Sequence, residues 1–488
     1  MRDGVGLQAG SVVPDMERRT KIVATLGPRS RELPTHDSLL AAGADIVRLN
    51  FAHSTPAVHE AAATEARRQA RELGRVVGVL VDLPGPKMRT GPVVGDGVFL
   101  EPGSTLALTT RDVVGDATLV SVTVPDLPNL VDKGDEVYLA DGQIVLTVHA
   151  VADDEIQAEV TRGGILRSRK GLHLPRAERR LRAFTSEDEQ ALQVALAIKA
   201  DLVGLSFVRD ADDVRRARAA LPRRGPKPLI VAKIETAAAL DSLDEITREA
   251  DALMVARGDL GIQMPLERVP FLQKEIIRTC NEAGIPVITA TQMLESMTSA
   301  RLPTRAEVTD VANAVLDGSD ALMLSEETAV GDHPTESIRV MASIIKTAES
   351  APRAHREPSG LTERDDPVSW AVARAAVQAA HDLRVAAIVC PTQSGATARK
   401  VAAFRPNTPV YALSDREAVL GALALTWGTI PLRAPAAGTT GDAGAVVGKA
   451  VEVVMASGHL RRGDLVAVVA GSSGPRAGTT DFLRIVRA

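Results

Sequence analysis

The sequence predicts an α/β protein: a (β/α)8 TIM barrel with a small β-barrel lid domain inserted and a C-terminal α/β domain. Three observations carry that expectation. Eight short apolar runs each lead into a longer amphipathic stretch. About 100 residues of different character, alternating in short runs between Gly and Asp turns, interrupt them after the third. A charged, Pro-bearing linker then separates the eighth unit from a further set of apolar runs.

The eight runs are 21–26, 45–49, 76–81, 201–205, 229–234, 252–256, 286–290 and 320–324. Short runs rich in Val, Ile and Leu suit parallel strands buried on both faces. The stretches between them have helical period, as at 187–199 and 270–283; Thr185-Ser186-Glu187 opens the first and Gly284 closes the second. Two doubly wound sheets would give a similar alternation, so periodicity alone leaves both arrangements open. The expected division is 1–86 and 183–352 for the barrel, 87–182 for the lid, and 353–488 for the last domain.

Composition excludes several classes. The 57 Lys+Arg against 62 Asp+Glu leave a net charge of −5, with no bulk attraction for nucleic acid or an anionic membrane. Aromatic content of 2% argues against base-stacking platforms. The two cysteines, Cys280 and Cys390, lie in apolar segments and suit a reducing, cytoplasmic setting rather than a disulfide scaffold or zinc ribbon. The first residues have no signal-peptide core, and runs such as VVGVLV fall short of the ~20 residues that cross a bilayer.

In a (β/α)8 barrel the chemistry lies at the C-terminal ends of the strands. Those ends read Thr25, Arg48-x-Asn50, Asp82, Ser206, Lys233-x-Glu235, Arg257-x-Asp259, Thr291 and Ser325-Glu326. Residues two apart on a strand share a face, so each cation-x-polar pair is expected to project together into the mouth. Glu235 and Asp259 are hard oxygen ligands suited to Mg²⁺ or Mn²⁺. Lys233 and Arg48 can surround phosphoryl oxygens, and Gly258 lets backbone N–H groups approach an anion. The chemistry inferred is an anionic phosphorylated substrate held through a divalent metal. No Walker loop, GxGxxG or GxSxG is present.

The segments RRTKIVATLGP, VRLNFAHS, VAKIET, MVARGDLGIQMP, ITATQMLESM and PTRAEVTDVANAVLDGSDALMLSEETAVGDHP resemble the pyruvate kinase family over nearly the whole chain. The resemblance implies glycolytic phosphoryl transfer from phosphoenolpyruvate to ADP, giving pyruvate and ATP, beneath a closing lid. It implies that Arg48 and Lys233 stabilise the transferring group, and that Glu235 and Asp259 hold the metal. The backbone at Arg257-Gly258-Asp259 and the Thr291 hydroxyl would receive the substrate carboxylate, and His53, Arg89 and Lys170 would contact nucleotide. The donor of the enolate proton stays open among Thr291, Ser325 and a water chain. Relatives are usually homotetramers.

Two departures matter. K⁺-dependent relatives hold K⁺ through Asn-Phe-Ser and Asp-Thr; here these read Asn50-Phe51-Ala52 and Asp82-Leu83, and Lys87 stands where those relatives have Glu. The expectation is a bacterial, K⁺-independent type in which the Lys87 ammonium replaces the ion near Asn50 and Asp82. Ser325-Glu326-Glu327 replaces the commoner Ser-Gly-Glu. In the last domain, Thr392, Ser394, Gly395 and Thr397 follow an apolar run and precede a helical stretch, a cradle where relatives bind phosphorylated sugars or nucleotides. A barrel lyase on pyruvate enolates would share the metal and carboxylate pocket but not the lid or the cation clamp. A non-catalytic regulator would not need Lys233, Glu235, Asp259 and Thr291 together.

Overall fold

The computed structural model describes residues 18–86, 88–140, 142–176, 183–351, 366–435, 443–471 and 480–488. Eight parallel strands close into a barrel: Lys21–Thr25, Ile46–Asn50, Gly78–Asp82, Leu202–Leu205, Leu229–Ile234, Ala252–Ala256, Val287–Ala290 and Ala321–Leu324. Each pairs with its neighbours, and the first closes on the eighth through Lys21 to Ala24 against Ala321 to Leu324. Side chains facing inward and outward are both buried, which is why the runs are continuously apolar rather than alternating.

The expected strands began one residue early at 45, 201, 286 and 320 and two early at 76, and at 45, 201 and 320 the reason is chemical. Asp45, Asp201, Asp251 and Asp320 stand just before the second, fourth, sixth and eighth strands. Each accepts, through Oδ2 at 2.9 Å, a backbone N–H at the start of the strand before it: Ile22, Val79, Ile230 and Val287. Arginines accompany all four: Arg18 and Arg75 on Asp45, Arg67 on Asp201, Arg218 on Asp251 and Arg405 on Asp320. The N-terminal rim thus ties the strands in pairs, which leaves the opposite rim free for chemistry.

Local signals place the helices. Ser186–Ala197 starts in a capping box, Thr185 and Asp188 satisfying each other's backbone N–H groups. Arg305–Asp317 repeats the device with Thr304 and Glu307. Val269–Ala283 ends at Gly284, whose φ of 65° is the left-handed turn glycine permits.

The lid is a curled six-stranded sheet with a further two-stranded pair, Val98–Leu100 against Gly164–Leu166. It has its own apolar core, including Leu106, Leu139, Leu146 and Ile156. Among the described residues the last domain carries five strands in the order Thr429–Arg433, Val410–Ser414, Ala387–Pro391, Leu465–Ala470 and Phe482–Arg487, the final pair antiparallel and the others parallel. It sits against the N-terminal rim of the barrel, where Lys21 Nζ donates to the Thr429 carbonyl at 2.7 Å.

Candidate active site

The C-terminal strand ends and the underside of the lid enclose a cavity of about 620 Å³. Arg48, Asn50, Asp82, Ser206, Lys233, Glu235 and Asp259 line it from the barrel, and Arg89 and Lys170 from the lid. Arg48 comes from the second strand, Asp82 from the third and Lys233 from the fifth. Parallel pairing sets Asn50 beside Asp82. Barrel closure therefore brings together residues far apart in the chain.

Asp82 is the hub. Its Oδ2 accepts from Arg48 Nε at 3.0 Å, and Lys233 Nζ lies 3.3 Å from its Oδ1. Burial alone would raise its carboxyl; Lys233 and Arg48 outweigh that and hold it below the usual range. Arg48 is fixed further by Nη1 donating to Thr25 Oγ1 at 3.1 Å. Lys233 Nζ donates to Ser206 Oγ at 2.9 Å and pairs with Glu235 Oε1 at 2.9 Å. Burial would lower the Lys233 ammonium, but Asp82 and Glu235 reverse the effect and keep its pKa above the ordinary value. The ammonium is therefore held in its charged form.

Glu235 is buried, and its Oε2 accepts the Phe207 N–H at 2.7 Å. Burial pushes its carboxyl up; Lys233 opposes the shift and the neighbouring Asp259 charge adds to it. Two carboxylates facing one cavity, the Asp259 charge raising the proton affinity of Glu235, are a donor set that a divalent cation relieves. No group of three or more His, Cys, Asp or Glu with metal-holding geometry occurs among the described residues. Glu235 and Asp259 would leave a divalent cation to complete its shell with substrate and water oxygens.

One expected pair is not a pair. The sixth strand stops at Ala256, and Arg257 to Gln263 form a helix, so Arg257 and Asp259 diverge by about 200° around its axis. Asp259 lines the cavity. The Arg257 side chain turns away, reaching Asp310 Oδ1 at 2.7 Å, Gln273 Oε1 at 3.3 Å and the Thr291 carbonyl at 2.7 Å. Thr291 is held at a φ of 67°, with Oγ1 donating to the Ala290 carbonyl at 2.7 Å and accepting the Gly258 N–H at 2.9 Å. Buried Glu327 ties the neighbouring loops together, accepting the Leu294 N–H at 3.1 Å and the Ser325 N–H at 2.7 Å.

Residues 17–338 match the family model for the pyruvate kinase barrel domain, and residues 370–486 match that for the pyruvate kinase alpha/beta domain. The chain belongs to the pyruvate kinase family. It is 42% identical to a pyruvate kinase of Thermococcus litoralis over 85% of this chain and 88% of that one. It is 39% identical to one from Mycobacterium intracellulare over 97% and 99%. A solved pyruvate kinase structure from Cryptosporidium parvum matches with a TM-score of 0.87 and 32% identity, covering 96% of each chain.

As a pyruvate kinase the chain is a phosphotransferase of glycolysis, acting on phosphoenolpyruvate and ADP with a divalent metal. This sets aside the lyase and regulator readings. The pyruvate kinase residues expected outside the central cluster are scattered. His53 is exposed after the second strand, its carbonyl accepting His59 Nε2 at 2.7 Å, and does not line the cavity. Asn50 Oδ1 accepts the Ala52 N–H at 3.1 Å. Arg89 Nη1 donates to the Arg169 carbonyl at 3.1 Å, which joins two cavity-lining lid segments. Lys87 lies outside the described residues.

In the last domain, Thr392 Oγ1 accepts the Gly395 N–H at 2.9 Å and Ser394 Oγ accepts the Ala396 N–H at 3.4 Å. Gly395, at a φ of 80°, starts the helix Ala396–Ala403, and Thr397 Oγ1 meets Thr480 Oγ1 at 2.7 Å. The strand, loop and helix run in the expected order. Sequence reasoning missed the double engagement of Asp82, which it had assigned to a monovalent ion, and the Phe207 N–H on Glu235. The first depends on strand pairing that no local motif announces, and the second on a φ of 53° at Phe207.

Proposed function

We propose that Arg48 and Lys233 clamp the phosphoryl group of phosphoenolpyruvate as it passes to ADP. The supporting observation is the chain of contacts Arg48–Asp82–Lys233–Glu235 facing Asp259 in a single cavity. The two cations neutralise charge on the equatorial oxygens, and the carboxylates keep them charged and oriented. Glu235 and Asp259 hold Mg²⁺ or Mn²⁺, which when bound polarises and neutralises the phosphoryl and enolate oxygens. The Gly258 and Asp259 N–H groups and the Thr291 hydroxyl receive the substrate carboxylate, which replaces the bonds Gly258 N–H to Thr291 Oγ1 and Thr291 Oγ1 to the Ala290 carbonyl. Arg257 contributes through its backbone, its side chain bracing Thr291 instead. Arg89 and Lys170, on the lid side of the cavity, serve the nucleotide, and His53 joins them as an outer contact.

The finer reading is a bacterial, K⁺-independent enzyme in which Lys87 supplies the charge that K⁺ supplies elsewhere. Its support is the loss of two hydroxyl-bearing residues, at Ala52 and Leu83, together with the gain of a cation. Thr392, Ser394, Gly395 and Thr397 form a loop for a phosphorylated sugar or nucleotide effector. The domain plan in this reading is 1–86 and 183–352, 87–182, and 353–488, and the working form is a cytoplasmic homotetramer.

The test is pyruvate formation from phosphoenolpyruvate and ADP with Mg²⁺, first without K⁺ and then with it. Full turnover without K⁺ is expected, with Lys87→Glu reducing it and added K⁺ partly restoring it. Turnover that appears only with K⁺ discards the internal cation and keeps the enzyme. Undiminished K⁺-free activity in Lys87→Glu discards the role of Lys87.

A further inference from the structure

The helix that carries Asp259 also faces the lid. Between lid strands Glu136–Leu139 and Ile144–Val151 the chain turns through Gly142, at a φ of 78°. A Cβ added at Gly142 would stand 3.6 Å from Ile262 Cγ2, so the turn faces that side chain across less than a methyl group's width. The tip is braced: Gln143 N–H donates to the Ala140 carbonyl at 3.1 Å, Ala140 N–H to the Gly171 carbonyl at 3.0 Å, and Arg162 Nη2 to the Gly142 carbonyl. A cleft of about 420 Å³ follows the same seam, lined by Glu136, Tyr138 and Arg162 of the lid and by Gly261 and Ile262 of the helix.

The other side of the contact is braced as well. Gln263 Oε1 accepts the Ala237 N–H at 3.0 Å, two residues beyond Glu235. Ile262 lies three residues from Asp259, almost one turn along the same helix. The lid tip, Asp259 and the Glu235 loop are therefore joined through residues 262 and 263.

We propose that Ile262 is a positioning residue: it seats the hairpin tip at Gly142 and couples the lid's position to Asp259 and Glu235. It touches no substrate. With the lid seated, the helix holds Asp259 in the cavity; with the lid lifted, the helix loses its outer support and the site opens for exchange of substrate and product. The proposal rests on the cavity being the reaction site.

The experiment pairs Gly142→Cys with Ile262→Cys. Cys280 and Cys390 are fully buried, so they do not compete for crosslinking. Diamide oxidation is expected to link the pair, read as a reductant-reversible shift on a non-reducing gel, and to lower turnover about tenfold or more until reductant frees the lid. Neither single variant should link internally. A pair that fails to link while folded, or a linked enzyme that turns over at the unlinked rate, overturns the proposal. If the pair does not fold, Ile262→Ala serves: kcat falls about tenfold with KM for phosphoenolpyruvate within about twofold, and Ile262→Leu restores it. Amides of 136–147 should exchange faster in Ile262→Ala, and unchanged exchange and kcat overturn the proposal. Link formation is read without activity, so an inactive parent enzyme would count against the catalytic assignment and not against the seat.

Discussion

In the proposed clamp Arg48 and Lys233 approach one phosphoryl group without driving each other apart, and Asp82 is in contact with both. The Asp82→Asn variant keeps the shape and removes the charge. It should lower kcat about tenfold to a hundredfold, because the guanidinium and ammonium lose the anchor that orients them. KM for phosphoenolpyruvate should not rise, since the variant takes a negative charge from a site for an anion. Steady-state kinetics decide the matter, and wild-type kcat would remove Asp82 from this role. The sequence displayed Arg48, Lys233 and Asp82 as strand-end residues but could not show that one carboxylate serves both cations. That depends on the pairing of the second strand with the third and, through the fourth, with the fifth, which brings Arg48 from 34 residues and Lys233 from 151 residues away to Asp82.

At the scale of elements, Asp188 connects a helix start to the approach to the lid. Its Oδ2 completes the capping box with Thr185, and its Oδ1 accepts the Gly85 N–H at 2.9 Å, where the chain turns at a φ of 65°. The Asp188→Ala variant should destabilise the protein by about 1–2 kcal/mol, the cost of a lost cap plus an orphaned buried N–H. Denaturant unfolding measures the loss, and amide exchange at Gly85 should quicken in step. An unchanged midpoint would mean that water replaces the carboxylate at no cost. The cap was legible because Thr185-Ser186-Glu187 is a local signal. The bond to Gly85 was not, because it spans 103 residues. The strand-to-helix change after Ala256 was hidden for the opposite reason: Arg257-Gly258-Asp259 fits either local geometry, and the packing around Arg257 decides it.

Across the whole molecule, the seam between the barrel and the last domain carries a titrating group. Asp201 is packed so closely beneath Gly421 that a Cβ there would fall 2.3 Å from its carboxyl carbon. Burial pushes the Asp201 carboxyl up to about 7, against the pull of Arg67. The folded chain therefore holds this proton at pH values where the unfolded chain has released it. Stability contributed by Asp201 is present below pH ~4 and is lost as pH rises towards 7, by about 1.4 kcal/mol for each pH unit crossed. The Asp201→Asn variant should show a flatter stability profile between pH 5 and 8 and a relative gain at the upper end. Thermal unfolding across that range tests it, and parallel profiles for the two proteins would count against it.

The sequence by itself determined the alternation of strands and helices, the inserted lid, the caps at Thr185 and Gly284, and the set of charged strand ends. Each of these is written in residues close together in the chain, where periodicity, turn chemistry and spacing act directly. Tertiary structure alone decided that Asp82 faces Arg48 and Lys233, that the Arg257 side chain turns away while Asp259 faces the cavity, and that four aspartates lace the opposite rim. It also decided that Gly142 meets Ile262. These outcomes depend on barrel closure and on domains meeting across long stretches of chain, where burial and charge choose among conformations that the local sequence permits equally.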